Sequence, residues 1–278
     1  MKHQEGFFEN SIQQTIYYQH WLPDTAPKAA LLVIHGLNEH SGRYAHLADF
    51  FTQRDIAVFS LDQIGHGKSE GTRSFVKQFS FLIDDLVTYI GLIKGIVGDI
   101  PLFTIGHSLG GLINPVFLFD HQDLVSGAIF SGPLTLVPDY VSSFTITMGQ
   151  IISAILPKMV LLEIDKENLS RDPAVVQAYI DDPLVYNGKI TVRMSAEMNA
   201  AIKRVGKEVS SINLPVLILH GGEDKIVDPA CSDFLYNGVA SEDKKLIVYD
   251  GFFHEIFNEP EQDQVFTDML NWLNQHIE

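Results

Sequence analysis

Four short, almost continuously apolar runs recur along the first half of the chain: Ala30–His35 (ALLVIH), Ile56–Leu61 (IAVFSL), Leu102–Ile105 (LFTI) and Gly127–Phe130 (GAIF). A strand buried on one face alternates between apolar and polar residues, whereas a strand buried on both faces does not. These runs therefore predict a mostly parallel sheet covered on both sides by the helix-like segments between them. Phe81–Val97 has helical spacing, with Asp84 and Asp85 near its start, where carboxylates suit the helix dipole. Ahead of the first run, "SIQQTIYYQHWLP" alternates as an antiparallel edge strand or hairpin does. Strand runs return at Pro215–His220 (PVLILH) and Lys245–Tyr249 (KLIVY), and Asp263–Ile277 reads as a closing amphipathic helix.

Between these two sets the rhythm stops. "SSFTITMGQIISAILPKMVLLEI" and "LSRDPAVVQAYIDDPLVYNGK" read as helices and turns with no strand run between them. The pattern predicts an α/β core made of residues 1–133 and 207–278, with residues 134–206 inserted as a helical cap. An insertion of that size at a strand end is usually a lid, because loops at strand ends carry function.

Composition narrows the field. Hydrophobic residues make up 46% of the 278 and charged residues 19%, enough for a large core and unlike a disordered chain. The formal net charge is −16 and no dense Lys/Arg cluster interrupts it, which argues against nucleic acid and against anionic headgroups as partners. Cys231 is the one cysteine, so neither an intrachain disulfide nor a cysteine metal site can form, and the thiol reads as packing. The opening "MKHQEGFFEN" has no long apolar stretch of the secretory kind. The apolar stretch from Phe144 to Leu162 is broken by Gln150, Pro157 and Lys158, and a membrane span needs roughly 20 mostly apolar residues. A soluble, cytoplasmic protein is the expectation.

Against this background Ser108 stands out. It lies between an apolar strand run and an apolar helix run, inside "GHSLG" (106–110), a match to G-x-S-x-G. A serine at a tight strand-to-helix turn takes strained backbone angles, and neighbouring elements approach too closely for side chains two residues either side, where glycine fits. The turn lifts the hydroxyl above the sheet, with a helix N-terminus behind it. The Leu109 N–H then points at an anion forming on the attacked carbon.

A serine hydroxyl needs a base. In the expected order of serine, acid, then histidine, the histidines well beyond Ser108 are His220, His254 and His276. His276 falls on the polar end of the last helix, and His220 ends a strand run as a packed terminus. His254, in the glycine-bearing turn "YDGFFHEIF", can swing over the elbow and is the candidate base. For the acid, "LILHGGEDKIVDP" offers Glu223, Asp224 and Asp228. Asp224 follows the strand and two glycines, whereas Asp228 before Pro229 suits an N-cap. The second oxyanion donor falls in "VIHGLNEHSGRY", with the Leu37 N–H as candidate and His35 ordering the loop by hydrogen bonding. No His/Asp/Glu set has zinc spacing, so no metal and no cofactor is expected.

Six motifs now stand together: "HGLNEHSGRY" (35–44), "DQIGHGKSEGTR" (62–73), "GHSLGG" (106–111), "LSRDPAVVQAYIDDPLVYNG" (169–188), "HGGEDKIVDP" (220–229) and "GFFHEIFNEP" (251–260). With them the chain resembles the monoacylglycerol lipase branch of the α/β-hydrolase superfamily, including its lysophospholipase-like and serine-aminopeptidase-like members. The resemblance implies Ser108, Asp224 and His254 as the triad, in agreement with the spacing. It further implies that Glu39, Arg43, His107 and Tyr179 lie at the polar end of a pocket, where a glycerol headgroup would sit. A salt bridge holding the oxyanion loop is an equal reading for Glu39 and Arg43. In such lipases the cap opens an acyl channel and touches membranes transiently; Ile151 and Ile155 are the candidates here, unless the apolar cap residues merely pack onto the core.

The expected activity is that of a cofactor-free serine carboxylester hydrolase acting on a small lipid ester, first among them monoacylglycerols. Lysophospholipase, esterase or thioesterase activity with the same triad is the alternative, and a binding protein of this fold stands further off. An aminopeptidase would need an acidic cap pocket, for which Glu163, Asp165, Glu167, Asp181 and Asp182 are available.

Overall fold

The protein is described by a computed structural model covering residues 1–137, 141–162 and 165–277. Among the described residues ten strands fall in chain order: β1 Lys2–Glu9, β2 Thr15–Leu22, β3 Ala29–Ile34, β4 Ile56–Leu61, β5 Leu102–His107, β6 Gly127–Ser131, β7 Val160–Leu162, β8 Ile190–Thr191, β9 Val216–Gly221 and β10 Lys244–Tyr249. Eight of them form one sheet in the order β1-β2-β4-β3-β5-β6-β9-β10. From β4 to β10 all neighbours run parallel, while β1 and β2 form an antiparallel hairpin on the β4 edge. The doubly apolar runs thus became the interior strands, for the reason that predicted them. β3 sends Ala30, Leu32 and Ile34 to one core and Ala29, Leu31 and Val33 to the other.

Helices α1 (Ala45–Thr52) and α8 (Gln262–Asn274) cover one face through Phe51, Phe266 and Trp272. Helices α2 (Ser80–Val97) and α3 (Gly110–His121) cover the other through Leu86, Tyr89, Leu112 and Phe117. Between β6 and β9 come α4 (Ser143–Ile155), the two-stranded β7–β8 ribbon, α5 (Pro173–Asp181) and α6 (Val192–Glu208). The ribbon is a strand pairing that hydropathy did not anticipate, its strands being too short to leave a run. Met194, Ala201, Ile202 and Val205 of α6 pack in the same core as Ile34 and Phe117, so the end of the inserted stretch is continuous with the core. Helix α7 (Ala230–Gly238) joins β9 to β10.

The consequence for chemistry is directional. The loops after β3, β5, β9 and β10 all leave the carboxyl ends of parallel strands, so they meet at one rim of the sheet, where ligands of open α/β sheets bind.

Candidate active site

Ser108 follows β5 with φ +54°, a left-handed conformation that costs a non-glycine residue about 1–3 kcal/mol. Two bonds to the neighbouring strand-end loop hold it there: the Ser108 N–H donates to Ser131 O at 2.9 Å, and the Leu134 N–H donates to Ser108 O at 3.3 Å. The flanking glycines are steric necessities. A Cβ on Gly106 would sit 2.2 Å from Gly110 O, and one on Gly110 would sit 1.9 Å from Ile34 O. Because both obstructing atoms are backbone, Gly110→Ala is expected to cost more than about 3 kcal/mol, read as a lowered denaturant midpoint. An unchanged midpoint would show that α3 can back away from β3.

Asp224 and His254 come together from the loops after β9 and β10. Asp224 Oδ2 lies 2.6 Å from His254 Nδ1, and Oδ1 accepts the N–H groups of Ile226 (2.8 Å) and Val227 (2.9 Å). Burial alone would protonate this carboxyl, but His254 and the donors around it outweigh burial and hold it well below the usual carboxylate range. Burial likewise works against a charged His254, and Asp224 reverses that, raising the imidazole above its ordinary value. His220 adds a contact: its Nε2 lies 2.9 Å from Val227 O and 3.2 Å from Asp224 Oδ2, and its Nδ1 lies 2.6 Å from Ser232 Oγ. It is a packed strand terminus that also touches the acid. Asp228 accepts the Ala230 N–H at 2.9 Å, the capping geometry expected of it.

The loop after β3 is held by the buried carboxylate of Glu39. Oε1 accepts the Gly36 N–H at 2.6 Å and the Tyr44 hydroxyl at 2.8 Å; Oε2 accepts from Arg43 at 2.7 Å. Burial opposes ionisation here, yet Arg43 and the surrounding donors bring the group down to about 2. His35 Nδ1 lies 2.8 Å from Gly36 O while Nε2 accepts the Gln63 N–H at 2.9 Å, so it orders the loop as anticipated. Neither the Leu37 nor the Leu109 N–H has a backbone acceptor among the described residues.

Leu37, Glu39, His107, Ser108, Tyr179 and His254 line one small cavity of about 30 Å³, with room for a water or two. His107 packs its ring on His254 at 4.8 Å between centroids; burial, and then the neighbouring His254, push it down to about 4, so it is neutral at pH 7. Arg43 is not among the lining residues. Its guanidinium lies behind the wall, bonded to Glu39 and doubly to Glu255 at 2.7 Å each, and stacked on Tyr179 at 4.7 Å. Ile151 and Ile155 are not at the cavity either: they face outward on α4, exposed by 50% and 72%. Leu169, Ile226 and Glu255 line the cavity without having been anticipated. For Glu255 there was a signal, an acid next to the candidate base in an otherwise apolar turn.

The sheet order, the left-handed serine at the strand–helix turn and the aspartate–histidine pair on later loops define a serine hydrolase of the α/β-hydrolase fold. The chain belongs to the family described as Serine aminopeptidase, S33, which matches residues 25–261. A monoacylglycerol lipase of Mycolicibacterium smegmatis is 34% identical over 94% of this chain and 94% of its own. The crystal structure of Paleococcus ferrophilus monoacylglycerol lipase superposes with a TM-score of 0.83 at 28% identity, covering 99% of this chain and 100% of that one. A soluble variant of Saccharomyces cerevisiae monoglyceride lipase, solved with a substrate analog, gives 0.87 at 25% identity over 99% of this chain and 95% of its own.

Proposed function

We propose that the chain cleaves monoacylglycerols to fatty acid and glycerol through an acyl-enzyme on Ser108. The observation that carries this reading is that His254, held by Asp224 at 2.6 Å, opens with a left-handed Ser108 onto one cavity. The names of the full-length relatives support the lipid substrate.

In this mechanism Ser108 Oγ attacks the ester carbonyl and its proton passes to His254 Nε2, while Asp224 holds the Nδ1–H tautomer and stabilises the imidazolium. The Leu37 and Leu109 N–H groups receive the oxyanion, each worth about 2.7–4 kcal/mol of barrier. The imidazolium returns the proton to the departing glycerol oxygen. Water then attacks the acyl-enzyme with His254 as base, releasing the fatty acid and restoring the serine.

For the acyl chain the reading favours the hollow of about 430 Å³ beyond Ile226 over Ile151 and Ile155; Leu134, Leu136, Val137 and Val227 supply its apolar wall, and Asp224, Lys225 and Asp228 its polar side. Ile226 is common to this hollow and the catalytic cavity. Helix α4, with Phe144, Ile151 and Ile155 exposed, fits transient contact with a lipid surface, and no helix among the described residues is long and apolar enough to cross a membrane. Residues 134–191 act as the cap in this scheme, with α6 left to the core. A cytoplasmic setting suits a chain whose single cysteine is buried and unpaired.

The amidase alternative finds less support. Asp182 pairs with His40 at 2.9 Å, Asp165 accepts from the Glu167 and Asn168 N–H groups, Asp181 accepts from Gln177, Glu167 lines an outer hollow with Arg171, and Glu163 lies outside the described residues. The test is a rate series on monoacylglycerols of increasing chain length, with an aminoacyl anilide and a triacylglycerol alongside. Turnover confined to monoacylglycerols and rising with chain length is expected; preferential cleavage of the anilide would overturn the lipase reading.

A further inference from the structure

The polar wall of the catalytic cavity carries two carboxylates and, among the described residues, no lysine or arginine. Glu39 and Glu255 both line it, each almost fully buried, while the guanidinium that neutralises one of them stands behind. Arg43 is committed there. One of its terminal nitrogens donates to Glu39 and to Glu255, the other donates to Glu255, and Tyr179 covers its face. Releasing it toward the cavity would break three charge-assisted bonds in a buried place. The remaining lining groups are apolar, hydroxyl or imidazole: His107 is neutral, and any charge on His254 is balanced by Asp224 at 2.6 Å. The ensemble of Glu39, Arg43 and Glu255 therefore presents a net negative charge and hydrogen-bond acceptors to whatever occupies the polar end.

Glu255 is the member that makes it so. Without it, Glu39 and Arg43 would form a neutral pair. Its position is fixed from three sides: Arg43 on both oxygens, the Asn258 amide donating to Oε2 at 2.8 Å, and its own N–H donating to Leu169 O at 2.8 Å. A carboxylate that cannot move away, in a cavity with room for only a water or two, repels an incoming anion at short range, a penalty built against the wrong substrate.

We propose that Glu255 is a specificity-determining residue that makes the leaving-alcohol end of this site accept uncharged, hydroxyl-bearing headgroups and exclude phosphate. The inference rests on the monoacylglycerol reading and sharpens it, because it separates monoacylglycerols from lysophospholipids, which share the acyl chain and differ in the headgroup. The same charge would accept an ammonium group, which the anilide arm of the rate series reads.

The experiment compares kcat/KM for a medium-chain 1-acylglycerol and its 3-phosphate, in the wild type and in Glu255→Gln. The wild type is expected to prefer the uncharged lipid by on the order of a hundredfold. Glu255→Gln keeps the shape and one acceptor oxygen but turns an amide N–H toward an Arg43 donor, and should narrow that preference about tenfold, mostly through a better KM for the phosphate lipid. A wild-type preference below threefold overturns the inference without any variant, as does a folded Glu255→Gln with an unchanged ratio. Should Glu255→Gln fail to fold, inhibition of the wild type by glycerol and by glycerol 3-phosphate decides: equal inhibition overturns the inference, and weaker inhibition by the phosphate supports it. Cleavage of neither lipid by protein that still hydrolyses a short aryl ester would sink the glycerolipid reading itself, and this inference with it.

Discussion

Ser108→Ala is expected to lower kcat for monoacylglycerol hydrolysis by roughly 10⁶-fold while leaving the fold intact. The size follows from cooperation: base, acid and oxyanion donors act through the serine oxygen, so removing it forfeits nearly all they contribute together. The fold should survive because neither bond that holds the elbow uses the hydroxyl; both run through the Ser108 backbone. A companion variant separates chemistry from strain. Ser108→Gly should be equally inactive, yet melt higher than Ser108→Ala, because glycine takes φ +54° without the penalty an alanine Cβ meets. Ester turnover within tenfold of wild type in Ser108→Ala would remove the nucleophile assignment. A lower melting point for the glycine variant would remove the strain account.

What could be read in advance was local, and what could not was relational. The elbow is a few consecutive residues whose glycines are dictated by backbone contacts at 2.2 and 1.9 Å, so its pattern is written in one place. The interior strands were equally plain, since burial on both faces leaves an unbroken apolar run. β1 was harder to see. "KHQEGFFE" is an edge strand, mostly exposed, and its Gly6 exists to receive the Tyr18 ring from β2, a partner not evident from β1 alone. The absence of a strand run from 134 to 206 places helix α6 in the insertion; only packing shows Met194 and Val205 at the core.

The polar end of the site divides along the same line. Motif resemblance singled out Glu39 and Arg43 but not which of them faces the cavity, because that depends on Glu255, 212 positions away from Arg43 in the chain. With Glu255 in place, the salt bridge that engages Arg43 still leaves Glu39 lining the cavity, so the salt-bridge and headgroup readings are compatible. Arg43 is the strut; Glu39 ties the Gly36 amide of the oxyanion loop and shows its carboxylate to the cavity. The cap isoleucines illustrate the opposite hazard. An apolar helix in an insertion suggests a channel, yet the residue bordering both the catalytic cavity and the larger hollow beside it is Ile226, on the loop that carries Asp224.

The acid loop supplies the second large effect. Asp224→Asn is expected to lower the plateau of kcat/KM by about 10⁴-fold, because an amide can present its N–H to His254 Nδ1 and so hold the tautomer that cannot take the serine proton. The pH profile should move as well, and its sign can be worked out. His254 must be neutral to act as base, so the rate falls as pH drops through its pKa. In the wild type burial lowers that pKa, and Asp224, then Glu255 and Glu39, raise it past its ordinary value, moving the acid limb to higher pH than an ordinary imidazole would give. Removing the Asp224 charge takes away the largest of the raising influences and leaves burial less opposed, so the limb in Asp224→Asn should shift toward lower pH. Rates from pH 5 to 9 on a soluble ester, normalised to each plateau, measure it. A lost plateau with an unmoved limb would mean that Asp224 orients His254 without setting its charge. An undiminished plateau would pass the role of acid to another carboxylate, with Glu255 beside His254 the first to examine.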